Sequence, residues 1–303
     1  MRFADLKSLA RETFHSFSED RAPRMGAALS YYTVFSLAPL LVVIIAVAGF
    51  FFGEDAARGR IVDQLTGTLG REGAQLVQTM IQKASEPRAG IIATVVGLAT
   101  LLVGATGVLL ELHDALDTIW KVTPRKGRGW KGTVRDRVLS FGVILTFGFL
   151  LLVSLVLSAG LAAMGDRLGA MVPGWVTLAY VLNYGISMGL VALLMATLFV
   201  LLPDVRIAWR DVWIGSLVTS VLFHLGKLLI GLYLGKASVG SPFGAAGSLA
   251  VLLVWIYYTS QVFLLGAEFT RAYTLRFGRP VRPRAGAEFR PAPGPAEHPA
   301  PAR

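Results

Sequence analysis

Residues 178–202 read LAYVLNYGISMGLVALLMATLFVLL, and this run contains no charged side chain. A transmembrane helix needs about 20 predominantly apolar residues. Five further windows have the same character, interrupted only by Lys227 in the fifth window and by Glu268 near the end of the sixth. The sequence therefore predicts an all-α, polytopic membrane protein with six transmembrane helices, at 27–52, 91–110, 139–163, 178–202, 213–234 and 245–270.

The composition supports this class and excludes others. Hydrophobic residues make up 54% of the 303-residue chain and charged residues 16%, whereas soluble domains carry about 45–50% and about 25%. The chain has no cysteine, which excludes disulfides, thiolate nucleophiles and cysteine-ligated metal centres. The net charge of +10 would indicate a polyanionic partner in a soluble protein, but in a membrane protein it is typical of loops that face the cytoplasm.

The distribution of Lys and Arg predicts the orientation. The segments on one side of the predicted spans carry 21 basic residues, and those on the other side carry seven. Because cytoplasmic loops are enriched in Lys and Arg, we expect a bacterial inner (plasma) membrane protein with both termini in the cytoplasm. The basic loop 121–137 is explained by the same rule, so no nucleic-acid partner is expected.

Three segments lie outside the predicted spans. Residues 1–26 have an amphipathic helical pattern, which is typical either of a helix on the membrane surface or of one packed under the bundle. Residues 53–90 form an outer loop in which apolar residues recur at helical spacing, so one or two amphipathic helices are predicted there. Residues 278–303 are rich in Pro, Ala and Arg and are predicted to be a disordered cytoplasmic tail.

Three motifs together resemble a known family. They are AALSYYTVFSLAP at 27–39, LHDALDTIW at 112–120, and FGAAGSL at 243–249 followed by LVWIYY at 253–258 and LLGAE at 264–268. In this order they resemble the YihY/BrkB family (virulence factor BrkB) over roughly residues 10–275. The family pattern commonly has Asn where this chain has Asp117.

The resemblance implies a six-helix integral inner-membrane protein, a family once named ribonuclease BN in error. Members have been connected with envelope lipid handling, which implies a role in handling or transporting lipid or another amphipathic substrate. Two alternatives are a scaffold that binds envelope proteins through the outer loop 53–90 and, less favoured, a ribonuclease. Membrane lipids, phospholipid among them, are the expected partners, and a homo-oligomer is left open.

Polar residues at one depth suggest a binding site. Ionisable residues near or inside a span are costly and are therefore candidates for function. A pocket at the inner leaflet, suited to a phospholipid-like headgroup, is predicted from Arg24, Tyr31, Tyr32, Glu111, Asp114 and Glu268. The competing interpretation is that each acid pairs with a loop arginine.

Three more polar residues lie within predicted spans: His224, Lys227 and Gln261. Lys227 is predicted either to extend to the outer headgroups or to line a cavity, and His224 to bond a neighbouring helix. The four histidines show no metal-ligand spacing, and there is no phosphate-binding loop or nucleophile motif. We therefore predict no metal, no cofactor and no enzymatic activity.

Overall fold

The computed structural model describes residues 3–53, 74–82, 107–125, 175–236 and 244–290, with a few positions between 55 and 66. The predicted third span, most of the second span and residues 291–303 lie outside the described residues. The described elements are α1 (Phe3–Glu19), α2 (Ala22–Phe52), α3 (74–82), α4 (107–119), β1 (Val122–Pro124), α5 (Trp175–Leu201), β2 (Val205–Arg206), α6 (Trp209–Lys236), α7 (Gly244–Phe277), β3 (Arg282–Pro283) and β4 (Ala287–Phe289).

Local sequence explains where α2 starts and stops. Arg21 adopts the left-handed conformation (φ 55°) between α1 and α2, and a proline stands in the first turn of α2, where its missing N–H removes no helical hydrogen bond. Gly53 ends α2 with φ 85°, and its N–H donates to the carbonyl of Gly49 at 2.8 Å. Helix α2 therefore begins five residues before the predicted first span and ends where that span was predicted to end.

Helices α5, α6 and α7 confirm that the fourth, fifth and sixth windows are helical. Among the described residues, three helices are long and apolar enough to cross a membrane, at Val181–Leu201, Trp209–Leu229 and Leu249–Phe277. In sequence order α5 packs on α6, α6 on α7, and α7 also on α2. The predicted first and sixth spans are therefore neighbours.

The two helices outside the spans pack against this bundle. In α1, Leu9 and Thr13 are buried, and α1 lies along α7, where Arg276 bonds Ser8. This is the packed arrangement, one of the two predicted for residues 1–26. In α3, Val77 and Ile81 are buried in a cluster with residues of α2 and α7, so the segment 53–90 contains an amphipathic helix as predicted.

Helices α6 and α7 approach each other at two glycines. A Cβ on Gly215 would lie 1.9 Å from Oγ1 of Thr270, and one on Gly266 would lie 1.9 Å from Oγ1 of Thr219. Each threonine hydroxyl also donates to the carbonyl of the glycine four residues before it in its own helix, at 2.7 Å for Thr219 and 2.6 Å for Thr270. Small residues thus allow close helix contact here, as is common in membrane bundles.

Another pair of glycines has the spacing of a close helix contact but none within the described part of the chain. Gly185 and Gly189 are four residues apart on α5, a pattern common at membrane helix interfaces. A Cβ on either would meet nothing within 4 Å. Spacing alone therefore does not tell which face of a helix meets a neighbour.

Part of the predicted disordered tail is ordered. Strand β3 pairs antiparallel with β2, Val205 opposite Pro283, and β4 pairs antiparallel with β1, Val122 opposite Phe289. We call the end of the bundle that carries these strands the strand end. The prediction of disorder is wrong for residues 282–289, because composition alone could not reveal that the loops after α4 and α5 offer strands to pair with. Proline is tolerated in such short edge pairings.

Candidate functional site

The exposed face of α2 begins with an arginine and continues with aromatic rings. Arg24 is exposed, Tyr31 is 60% exposed and Phe35 is 63% exposed. The Tyr31 ring contacts those of Tyr32 and Phe35, with centroids 5.6 and 4.9 Å apart. At about 1.5 Å per residue, Arg24 and Phe35 are separated by roughly 16 Å along the helix axis. We call this surface, Arg24, Tyr31, Tyr32 and Phe35, the α2 face.

Helix α4 lies beside the α2 face. A Cβ on Gly107 would be 2.9 Å from Cδ1 of Tyr32, so the tyrosine ring lies against the glycine. Glu111 and Asp114 follow Gly107 by four and seven residues, which places them on the same side of α4, nearer the strand end. Burial, and secondarily the charge of Asp114, raises the pKa of Glu111 above its ordinary value. The structure thus places five of the six predicted pocket residues on two adjoining helices.

The sixth predicted residue, Glu268, belongs to a different group of charges. Glu268 is fully buried in α7, and the charged groups that act on it are Asp20, Arg271 and Lys121. Asp20 directly follows α1 and forms an ion pair with Lys121, the left-handed residue after α4. We call Asp20, Lys121 and Glu268 the buried ionic cluster. Arg24 is not among the charges that act on Glu268, and sequence analysis missed the partners Asp20 and Lys121.

The intramembrane polar residues have separate surroundings. His224 is buried; its Nδ1 lies 2.8 Å from the carbonyl of Ser220, and its Nε2 lies 3.4 Å from the hydroxyl of Ser187 on α5. This contact agrees with the prediction that His224 bonds a neighbouring helix. Lys227 is half-buried. Gln261 on α7 packs against Gly26 of α2, since a Cβ on Gly26 would lie 1.9 Å from Nε2 of Gln261. The two helices therefore approach closely at this point.

A further cluster was missed by the sequence analysis. His113 and Asp117 lie one turn apart on α4, and Asp204 comes from the loop after α5. One donor atom from each of the three lies within 4.8 Å of the other two. The backbone N–H of Asp204 donates to Oδ1 of Asp117 at 2.8 Å. We call these residues the His–Asp–Asp cluster; the spacing of His113 and Asp117 is visible in the sequence, but Asp204 is not predictable from it.

The electrostatics of this cluster are dominated by burial. Burial raises the pKa of Asp117 to about 6; the N–H of Asp204 and the imidazole of His113 act to lower it, and the carboxylates of Asp204 and Asp114 act to raise it. The expectation that the histidines offer no metal-ligand set rested on sequence spacing. In the folded chain, one histidine and two aspartates form a donor set that could hold an ion.

Comparison with known families identifies the chain. A family model described as "Virulence factor BrkB" matches residues 13–291. The chain belongs to the BrkB family. The matched region covers α2, α4, α5, α6 and α7 and includes every residue of the α2 face, the buried ionic cluster and the His–Asp–Asp cluster. The resemblance seen in the three sequence motifs is confirmed.

Similar proteins are named membrane proteins. This BrkB family member is 30% identical to a UPF0761 membrane protein of Ralstonia nicotianae over 86% of the chain and 58% of that protein. It is also 30% identical to one of Chromobacterium violaceum over 93% of the chain and 67% of the relative, and 32% identical to one of Methylibium petroleiphilum over 83% and 58%. The chain thus spans about six-tenths of the length of several curated relatives. No solved structure matches it.

Proposed function

We propose that this BrkB family protein handles or transports a phospholipid-like amphipathic substrate and that the α2 face is where the substrate binds. The observation that supports this is the order of side chains along α2, an exposed arginine followed by exposed tyrosine and phenylalanine rings. A phospholipid has the same order of chemistry, a charged headgroup followed by an ester region and acyl chains.

Arg24 is the residue proposed to meet the phosphate. A guanidinium is planar and offers paired N–H donors that match two phosphate oxygens. The hydroxyl of Tyr31, two turns further along α2, would bond the ester region while its ring packs on the chains. Phe35 offers an apolar surface to the acyl chains. The roughly 16 Å between Arg24 and Phe35 is comparable to half the thickness of a hydrocarbon core of about 30 Å.

Glu111 and Asp114 are proposed to select the headgroup. They lie on the side of α4 that continues from Gly107, against which Tyr32 packs. Two carboxylates on the helix beside the α2 face would attract the amine of a zwitterionic headgroup such as phosphoethanolamine, and would disfavour a headgroup with an extra negative charge. Glu268 is left out of this site, because it is buried among Asp20, Lys121 and Arg271.

The proposal includes the bacterial inner membrane, with both termini in the cytoplasm. It is supported by the excess of Lys and Arg in alternate loops, 21 against seven. In this orientation Arg24 lies at the inner leaflet and Phe35 lies deeper. Because lipid handling breaks no covalent bond, the proposed function also requires no catalysis. For the scaffold alternative we find less support, since the apolar face of the outer helix α3 is already buried against α2 and α7.

A labelling experiment tests the proposed site. The purified full chain is placed in nanodiscs that contain a phosphatidylethanolamine with a photoactivatable acyl chain, and labelled peptides are quantified by mass spectrometry. The exposed apolar face of α6, which includes Leu225 and Leu229, contacts any bulk lipid and serves as an internal reference. We expect peptides of α2 to be labelled several-fold more than those of α6.

Variants make the test specific. Arg24→Gln removes the phosphate ligand. The matched control is Arg210→Gln, because Arg210 is also exposed and lies at the start of α6. The ratio of α2 to α6 labelling should fall toward one in Arg24→Gln and stay unchanged in Arg210→Gln. Tyr31→Ala and its control Tyr257→Ala, exposed on α7, should differ in the same way. An unchanged ratio in Arg24→Gln would show that the α2 face is ordinary lipid-facing surface.

A further inference from the structure

The His–Asp–Asp cluster shares no residue with the proposed lipid site. His113 and Asp117 are on the last turns of α4, and Asp204 is in the short connection between α5 and β2. Nε2 of His113 lies 3.4 Å from Oδ2 of Asp117 and 3.8 Å from Oδ2 of Asp204. Both distances are longer than an ordinary N–H···O hydrogen bond, in which the nitrogen and oxygen are about 2.7–3.2 Å apart.

These distances suit an ion held between the three atoms. Donor atoms bound at about 2.1 Å to a tetrahedral ion stand about 3.4 Å apart. Nε2 of His113 and Oδ2 of Asp117 are separated by this distance. Oδ2 of Asp204 is less than an ångström farther from Nε2 than this geometry requires. The three side chains are also shielded from water, with 19%, 7% and 4% of their surfaces exposed.

One carboxylate oxygen of Asp117, Oδ1, accepts a hydrogen bond that orients the other oxygen, Oδ2. The N–H of Asp204 bonds Oδ1 of Asp117 at 2.8 Å, which turns Oδ2 toward His113. Such a hydrogen bond to a ligating carboxylate is the usual way in which proteins orient metal ligands. This hydrogen bond also joins α4 to the connection after α5 through the backbone of Asp204, and so keeps Asp117 and Asp204 close together.

The donor set indicates the class of ion. Two carboxylates and a neutral imidazole together carry a charge of −2, which a divalent cation neutralises. An imidazole nitrogen favours zinc, iron or nickel, and carboxylate oxygens favour manganese or magnesium. Since Mg²⁺ keeps its waters and prefers oxygen ligands, a mixed donor set of this kind favours Zn²⁺ or Mn²⁺.

We propose that His113, Asp117 and Asp204 bind one divalent transition-metal ion, Zn²⁺ or Mn²⁺, and that this ion fastens the end of α4 to the connection after α5. Both segments continue directly into strands, α4 into β1 and the connection into β2. The ion thereby fixes the spacing of the two strands that receive β3 and β4. This site is independent of the proposed lipid function, and either can fail alone.

Metal content is the direct test. The full chain is purified without a histidine tag, treated with chelator and then incubated separately with Zn²⁺, Mn²⁺ or Mg²⁺ before gel filtration and elemental mass spectrometry. We expect about one Zn²⁺ or Mn²⁺ per chain and little Mg²⁺. Binding should also raise the thermal unfolding midpoint with Zn²⁺ or Mn²⁺ but not with Mg²⁺, as expected for an ion that binds only the folded state.

Four variants locate the ion. His113→Gln, Asp117→Asn and Asp204→Asn should each weaken binding by at least about 10-fold, since even loss of an outer-shell partner has effects of this size. Asp117→Asn keeps an oxygen that can accept the hydrogen bond from the N–H of Asp204. If this variant fails to fold, the metal content of the other two variants still tests the site. His15→Gln removes an exposed histidine and should retain the ion. Wild-type protein that retains no ion, or equal retention in all four variants, would overturn the proposal.

Discussion

The contact between α6 and α7 at Gly266 gives a sharp prediction. Replacing Gly266 by Ala would place a methyl group 1.9 Å from Oγ1 of Thr219 and 2.8 Å from its Cβ and Cγ2. Overpacking of this kind costs about 1–3 kcal/mol, and the depth of the overlap argues for the upper end of that range. The higher helix propensity of Ala offsets up to about 1 kcal/mol. We therefore expect Gly266→Ala to lower the free energy of unfolding by about 2 kcal/mol.

The matched control is Gly189→Ala on α5. A Cβ on Gly189 would meet nothing within 4 Å, so only the propensity effect remains, and this variant should be as stable as the parent or up to about 1 kcal/mol more stable. Free energies are measured by unfolding in mixed detergent micelles, followed by tryptophan fluorescence. The double variant Gly266→Ala with Thr219→Gly exchanges the small residue and should recover stability relative to the sum of the single changes.

A parent-like stability for Gly266→Ala, or an equal loss in Gly189→Ala, would refute the reasoning. In the first case the two helices would not touch at Gly266, and in the second the cost would come from the helix backbone rather than from the contact. A double variant whose loss equals the sum of the single losses would also show that Thr219 and Gly266 do not meet.

Four other outcomes are expected. Arg284 donates to the carbonyls of Val200, Leu201 and Val205, so Arg284→Gln should cost about 2 kcal/mol and increase proteolysis after α7. In the buried ionic cluster, Lys121→Met leaves Asp20 without its ion-pair partner and should destabilise by about 2 kcal/mol or more. Glu268→Gln should leave stability at or above the parental value. A Glu268→Gln variant less stable than Lys121→Met would contradict these roles. Because the chain has no cysteine, an impermeant maleimide applied to intact cells should label Thr79→Cys but not Ser18→Cys, and the opposite pattern would invert the proposed topology. Purified protein freed of contaminating nucleases should not cleave RNA with Mg²⁺, Mn²⁺ or Zn²⁺, and cleavage that Asp117→Asn abolishes would establish an enzyme.

Hydropathy predicted the helices well because a bilayer imposes one simple rule on every span. A segment that crosses lipid must satisfy its own backbone hydrogen bonds and be apolar for about 20 residues. Helices α5, α6 and α7 therefore begin within four residues of the predicted starts. Strand pairing follows no such local rule. Val122 meets Phe289, and Val205 meets Pro283, and neither partner can be found from the composition of its own segment.

The residues of the candidate sites also differ in whether the sequence alone could identify them. The sequence singles out Arg24, Tyr31, Tyr32 and the acids of α4 because they lie near one predicted membrane interface, but it does not single out Phe35. The partner of Glu268 could not be predicted, because Asp20 was placed in a segment outside the membrane-spanning helices. Asp204 likewise becomes a neighbour of His113 only when the connection after α5 folds back over α4. Contacts between distant loops depend on the completed packing of the bundle and leave no periodic signal in the sequence.

The pairing of β1 with β4 imposes an order on biosynthesis. Residues 122–124 leave the ribosome long before residues 287–289, and at about 5–20 residues per second the interval is on the order of 10–30 s. During that time the apolar helices enter the membrane while the edges of β1 and β2 remain unpaired in water, where open strand edges invite association with other chains. A nascent chain interrupted just after α7 would hold every predicted span yet could not close its strand end. Closure of the strand end therefore separates a chain that has been synthesised past residue 289 from one that was interrupted before it.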